Sequence, residues 1–116
     1  MDVSGAIPVD TATDLDAWLR SRSTGDAREV VVAILKQSSG RASVRLIDLQ
    51  EVALCHGWVD TQTQRIDDER YAIRFVPRSP RSTWGPKNRA MAARMLAAGR
   101  VEPKALATIP ADVDGR

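Results

Sequence analysis

A chain of 116 residues, 43% hydrophobic and 28% charged, is typical of one globular domain with a modest buried core and not of a disordered tail. The net charge is only +2, and the single cysteine, Cys55, excludes an intramolecular disulfide. Because neither a signal peptide nor the ~20 consecutive apolar residues of a membrane helix are found, we expect a cytoplasmic protein without membrane insertion.

The N-terminal part of the chain predicts an arm followed by a helix. Residues 1–12 are expected to form a flexible arm, and residues 13–116 a single domain. Thr13 is the predicted N-cap of the first helix, with Asp16 three residues later in a capping-box-like place. Apolar residues at helical spacing then predict its buried stripe: Leu15, Trp18 and Leu19.

The middle of the chain predicts a strand and a second helix. The β-branched run over residues 29–36 predicts a strand covered on both faces. Apolar side chains at helical spacing from Leu46 to His56 predict a helix that is buried on more than one side. Gly57 follows where a left-handed residue commonly ends a helix, so Trp58 is expected to fold back onto the core.

The C-terminal half predicts a hairpin and two more helices. Residues 61–66 and 71–76 alternate like strands on either side of a polar turn. Three prolines then bar regular structure until about Lys87, a helix follows as far as Gly99, and Pro103 begins a short last helix. The predicted fold class is α+β: a small, mostly antiparallel sheet of one strand plus a β-hairpin, with about four helices packed mainly on one face.

A charge asymmetry accompanies these elements. Residues 70–100 contain eight arginine or lysine residues and no acidic one, whereas the first sixty residues lean acidic. This segregation predicts either a positive face that attracts anions or, alternatively, two parts that neutralise each other in the folded chain.

The loop after the hairpin carries the sharpest candidate site. Arginine binds carboxylate or phosphate through a forked guanidinium and stacks on indole rings, and prolines could hold such groups in place. A helix start also favours anions through its free N–H groups. The ligand-binding candidates are Trp58, Asp60, Arg74, Arg78, Arg81, Ser82, Trp84 and Asn88. The alternative is an arginine-lined loop that only caps the core.

Other reactive residues have structural interpretations. Cys55 and His56 are neighbours on a helix, so their side chains diverge and do not form a thiolate–imidazole pair. We expect a buried thiol and a packed imidazole, with no metal site, no cofactor and no assigned catalytic residue. Asp60 is interpreted as a general base or ligand-orienting carboxylate, or alternatively as an ion-pair partner of Arg74 or Arg78.

Two motifs resemble the YdeI/OmpD-associated, or bacteriocin-protection, family of bacterial proteins. Its members carry a helix ending in Ala-Leu-Cys-aromatic-Gly-Trp-Ile-Asp. A hairpin then leads into Phe-x-Pro-Arg, Ser-x-Trp-Ser and Asn, followed by Gly-Arg-Met and Asp-Gly-Arg. The first motif corresponds to residues 53–60 here. The others correspond to Phe75, Pro77, Arg78, Ser82, Trp84, Asn88, Gly99, Arg100 and the closing Asp114-Gly115-Arg116.

The sequence departs from that family at several positions, among them His56 in place of an aromatic residue and Gly85 in place of serine. Relatives continue past Asp-Gly-Arg with a tryptophan and a further helical segment, so we expect the present chain to correspond to their N-terminal portion. The resemblance implies protection against bacteriocins or other antimicrobial peptides and a loose link to an outer-membrane porin, without a known catalytic residue.

Three functions follow as hypotheses. The first is a non-enzymatic stress-protection protein that binds an anionic small molecule or an acidic protein surface through the arginine–tryptophan loop. The second is a nucleic-acid-binding protein that uses the basic segment 70–100 with its interleaved aromatic residues. The third is a small enzyme that uses Asp60 and Arg78. The oligomeric state is not predicted.

Overall fold

The computed structural model describes residues 1–22, 27–40, 43–79 and 82–113. The predicted candidate Arg81 and the closing motif at 114–116 lie outside these residues. In chain order the elements are β1 (Ile7–Pro8), α1 (Ala12–Arg22), β2 (Val30–Leu35), a 3-10 turn (Gln37–Ser39), α2 (Leu46–Cys55), β3 (Trp58–Arg65), β4 (Arg70–Pro77), α3 (Pro86–Ala97) and α4 (Pro103–Leu106). The mixed α and β composition and the four α-helices of the described part confirm the coarse prediction.

The sheet is mixed, which corrects the prediction of a mostly antiparallel one. Its strand order is β1-β2-β4-β3, with β2 and β3 each antiparallel to β4 and β1 parallel to β2. No strand was predicted for β1, because it has two residues and ends in a proline, which lacks a backbone N–H.

Part of the predicted flexible arm joins the sheet. Ile7 and Pro8 pair with β2, and the backbone N–H of Val9 donates to the carbonyl of Ala33 at 3.0 Å. Val9 itself is only 3% exposed. Burial of the apolar Val9 side chain is favourable and therefore helps to hold the preceding residues along β2.

Among the described elements, α1 and α2 pack on one face of the sheet. Along β2, Val30, Val32 and Ile34 are buried, whereas the intervening residues are partly exposed, so the prediction of a strand covered on both faces was wrong. The buried face contributes to a core with α1 and α2 through Leu15, Leu19, Leu49, Val52, Ile73 and Phe75. A second cluster joins the other side of α2 to α3 through Leu54, Met91 and Met95.

The first helix begins earlier than predicted. Thr11, not Thr13, caps α1: the N–H of Asp14 donates to the Thr11 hydroxyl at 3.3 Å, and the Asp14 carboxylate accepts the N–H of Thr11 at 3.1 Å. This reciprocal pair is a capping box with aspartate at its third position. The earlier start leaves the Asp16 carboxylate available for a tertiary contact.

Gly57 makes the turn from α2 into β3, as predicted. Its φ is +79°, and its N–H donates to the carbonyl of Leu54 at 3.0 Å. A Cβ at this position would lie 3.3 Å from the Thr108 methyl group just after α4. The turn therefore requires glycine both for its backbone conformation and for close packing against the C-terminal segment.

Candidate functional site

Trp58, the first predicted ligand-binding residue, lies in the core. It is 7% exposed, and its ring meets that of Trp18 edge to face, with centroids 5.9 Å apart and an interplanar angle of 88°. This is a favourable aromatic packing geometry. The prediction that Trp58 folds back onto the core after Gly57 is confirmed, and the ring is covered in this structure.

Asp60 is partly buried on β3, directly opposite Phe75 of β4. One of its carboxylate oxygens accepts a hydrogen bond from the Gln50 side-chain amide at 3.3 Å. Among the ion pairs of the described residues, none joins Asp60 to Arg74 or Arg78 within 4.0 Å, so the expected ion-pair alternative is not formed at contact distance.

Arg74 lies apart from the other candidates. It follows Ile73 and precedes Phe75, both fully buried, so strand alternation places its side chain on the opposite face of the sheet. There its Nε donates to the Glu29 carboxylate at 2.7 Å, and a terminal nitrogen donates to the Thr61 hydroxyl at 3.3 Å. Its guanidinium is thus engaged within the protein.

Arg78 and Trp84, two of the predicted candidates, are in contact. The guanidinium carbon of Arg78 lies 3.9 Å from the centroid of the Trp84 ring, which is a cation–π contact. The Arg78 backbone is fixed as well, since its N–H donates to the Gly57 carbonyl at 2.8 Å. Trp84 packs in turn on the cluster between α2 and α3.

The Arg78 guanidinium is incompletely satisfied. Its Nε is buried and has no hydrogen-bond partner among the described residues. Burial lowers the pKa of Arg78 from its usual value, and the negative charge of Asp60 opposes that effect. A guanidinium that is partly removed from water and lacks an acceptor is a costly arrangement unless another group neutralises it.

Ser82 and Asn88 flank the entry to α3. The Ser82 N–H donates to the carbonyl of Ser79 at 3.0 Å, which makes a local turn. Asn88 lies in the first turn of α3. The N-cap of this helix is Gly85, so no N-cap side chain accepts a hydrogen bond from the first backbone N–H groups. Both positions are partly buried.

A second polar cluster was missed by sequence reasoning. The side chain of His56 is 2% exposed, and its Nε2 lies 2.7 Å from Oδ1 of Asp16. Arg20 donates to the other oxygen of Asp16 at 2.9 Å and contacts Glu102 at 2.7 Å. Nδ1 of His56 is buried without a partner in the described part of the chain. The contact between Asp16 and His56 spans 40 residues, so no local pattern signals it.

Two surface pockets border this second cluster. One of about 270 Å³ lies beside Asp16, Arg20, Cys55 and Arg100. Another of about 370 Å³ lies beside Arg20, His56 and Pro103. Neither pocket, nor a third one beside Trp18 and Glu29, is lined by Arg78 or Trp84. The half-buried Arg78–Trp84 pair therefore lies outside these three pockets.

Cys55 is buried, as expected. Burial raises the pKa of its thiol to about 11, so the thiol is neutral near pH 7 and a poor nucleophile. Within the described residues, no group of three or more His, Cys, Asp or Glu side chains is placed to hold a metal ion. In that same part of the chain, no helix combines the length and apolarity needed to cross a bilayer.

Comparison with known families shows which family the chain belongs to but assigns it no activity. It belongs to the family described as Domain of unknown function (DUF8412), whose model matches residues 7–108. No curated protein and no solved structure matches it. The resemblance to the YdeI/OmpD-associated proteins therefore stays a prediction.

Proposed function

We propose that this protein is a non-enzymatic binding protein that captures an anionic small molecule or an acidic protein surface through Arg78 and Trp84. The observation that carries the proposal is the partly buried Arg78 guanidinium, stacked on Trp84, with an Nε that has no acceptor among the described residues.

The energetics of this guanidinium favour an external partner. A charged group that leaves water gains stability only when it is paired, and a buried donor without an acceptor costs roughly 1–3 kcal/mol. No ion pair of Arg78 within 4.0 Å occurs in the described residues, and the nearby Asp60 is engaged by Gln50. A carboxylate or phosphate would supply both the acceptor and the charge.

The surroundings of the pair suit such a ligand. Trp84 offers an aromatic face already in contact with the guanidinium, and its packing on the second core cluster limits its movement. Lys87 and Asn88 lie close by in sequence, in the first turn of α3, at a helix end that lacks a side-chain cap. Positive charge, uncapped N–H groups and a polar amide together attract anions.

In the cell, we place this binding in cytoplasmic stress protection of the bacteriocin or antimicrobial-peptide resistance type. The support is the resemblance of residues 53–60, Arg78 and Trp84 to the YdeI/OmpD-associated proteins. Loss of the Arg78–Trp84 site should then reduce the survival of cells that depend on this protein during exposure to such peptides.

The nucleic-acid alternative draws less support from the charge distribution. Four arginines of segment 70–100 contact carboxylates from other parts of the chain: Arg74 with Glu29, Arg89 with Asp112, and Arg94 and Arg100 with Glu51. These pairs reduce the positive charge available to a phosphate backbone. Binding to DNA or RNA at 50 mM salt, weakening steeply as salt is added, would favour this alternative.

The enzyme alternative needs Asp60 and Arg78 to act on one substrate. Asp60 accepts the Gln50 amide, and its charge acts on Arg78 without contact within 4.0 Å. A stably folded Asp60→Asn variant that loses protection would support an enzyme, whereas equal protection would remove that alternative.

The binding test compares Arg78→Ala with Arg74→Ala, a matched arginine whose guanidinium is already bound by Glu29 and Thr61. Phosphorylated metabolites and short acidic peptides are screened by following the Trp84 indole signal by NMR. We expect Arg78→Ala to weaken binding at least about tenfold, because a charge-assisted contact contributes roughly 1.5–3 kcal/mol, while Arg74→Ala binds like the parent. If no compound binds, or if both variants bind like the parent, the anion site is refuted.

A further inference from the structure

The two edges of the sheet are protected to different degrees. Edge strands expose unpaired backbone groups, and proteins limit this exposure with short strands, prolines, charges or bulges. β1 is two residues long and includes Pro8. β3 is eight residues long, contains neither proline nor lysine, and is exposed from Thr61 to Arg65. The edge formed by β3 is therefore the more open of the two.

The hairpin register shows which backbone groups of β3 face outward. The N–H of Ile66 donates to the carbonyl of Arg70 at 3.1 Å, so this facing pair is hydrogen-bonded. Facing pairs alternate along an antiparallel ladder, so Gln64 also bonds to β4, whereas Thr63 and Arg65 do not. The N–H and C=O groups of Thr63 and Arg65 point away from the sheet and have no partner among the described residues.

We propose that this edge is a self-association surface at which two copies of the chain pair their β3 strands antiparallel about a two-fold axis at Gln64. In this register Thr63 of one copy faces Arg65 of the other. Their outward N–H and C=O groups then form about four interchain hydrogen bonds. The two Gln64 side chains meet at the axis, where each amide can donate to and accept from the other.

A second copy fits this edge because the strand is self-complementary. An antiparallel two-fold pairing uses the same patch on both chains. Gln62, Thr63 and Gln64 are uncharged, and the Arg65 guanidinium is already bound by the Asp68 carboxylate of its own hairpin. Like charges therefore do not oppose one another at the centre of the interface.

The structure also limits the extent of the pairing. A register shift between Asp60 and Gln62 interrupts the ladder and bends β3 at its N-terminal side. At the other end the Asp67 carboxylate accepts the N–H groups of Glu69 and Arg70 at 2.8 Å and fixes the turn. The segment available for pairing is thus short. Because small interfaces, below about 1,200 Å², are commonly weak, we expect a weak dimer whose population depends on concentration.

The first experiment measures sedimentation equilibrium of the whole chain from micromolar to millimolar concentration. Thr63→Pro removes an outward N–H while leaving the ladder with β4 intact, and Thr63→Val keeps that N–H and the β-branched shape. We expect the parent and Thr63→Val to dimerise and Thr63→Pro to do so at least about tenfold more weakly, since edge prolines block strand pairing. A parent that stays monomeric, or a folded Thr63→Pro that dimerises equally, overturns the proposal.

The second experiment tests the register and does not depend on a proline variant that folds. Gln64→Lys and Gln64→Glu each place like charges opposite one another at the axis and should both weaken self-association. A mixture of the two variants should restore association as a heterodimer, because the charges then attract. If either single variant associates like the parent, or if the mixture does not recover association, the pairing about Gln64 is wrong. This inference is independent of the anion site, since Arg78→Ala should leave dimerisation unchanged.

Discussion

The buried imidazole of His56 ties the first helix to the end of the second. Its contact with Asp16 at 2.7 Å, and the contact of Asp16 with Arg20, join three polar groups at the surface of the core. Partial burial raises the pKa of Asp16, but the hydrogen bonds with His56 and Arg20 outweigh it, so the net pKa is lowered from its usual value. The ionised carboxylate is therefore the form that stabilises the fold.

At this scale we predict a pH-dependent effect of Asp16→Asn. A carboxyl group whose pKa is lowered on folding contributes stability above its unfolded pKa, near 3.8, and loses it as the pH falls through the lower folded value. The variant should be less stable than the parent at pH 6, and the difference should shrink towards pH 3. Urea unfolding at several pH values measures this, and a difference that grows as the pH falls would contradict it.

Among the secondary-structure elements, the turn between α2 and β3 best separates what the sequence predicts from what only the tertiary structure shows. Gly57 has a positive φ, as does Gly99 after α3, but their surroundings differ. A Cβ at Gly57 would meet the Thr108 methyl group at 3.3 Å, whereas one at Gly99 would find nothing within 4 Å. The sequence predicted the left-handed turn at Gly57, and only the structure shows that the same glycine admits the C-terminal segment.

These two glycines allow a matched pair of substitutions. Gly99→Ala should destabilise the protein by about 1 kcal/mol, the conformational cost of a left-handed non-glycine residue. Gly57→Ala should cost more, about 2 kcal/mol, because the close contact with Thr108 adds to that strain. Denaturant unfolding followed by tryptophan fluorescence gives both values. Equal losses would show that the C-terminal segment moves aside without cost.

Across the whole molecule, contacts between segments that are distant in sequence complete the sheet and determine which charged side chains are paired. The N-terminal residues complete the sheet at β1, and carboxylates such as Glu29 and Glu51 partly neutralise the basic segment. The alternative that the acidic and basic parts offset each other is thus realised for several residues. Arg78 differs from them because its partner is an aromatic ring.

The role of the N-terminal residues can be measured with Val9→Ala. Val9 is 3% exposed, so loss of its methyl groups should reduce the free energy of unfolding by about 1–2 kcal/mol. Val3→Ala, in the same segment but partly exposed, serves as the control and should change stability by less than about 0.5 kcal/mol. Equal effects of the two substitutions would mean that the N-terminal residues do not depend on Val9 for their attachment.

Local patterns were enough to predict the second helix and the hairpin, because apolar spacing and turn residues act over short stretches. They grouped Arg74, Arg78 and Arg81 with Trp84, but only the structure shows that Arg78 is stacked on the ring. They misplaced the first helix cap, since Thr11-x-x-Asp14 and Thr13-x-x-Asp16 are overlapping matches to one motif, and Asp16 is engaged by a residue 40 positions away. Local patterns also failed to predict β1, because its two residues form a strand only by pairing with β2. They also left open which arginines are neutralised, because Glu29 and Arg74 are 45 residues apart in sequence and adjacent only after folding.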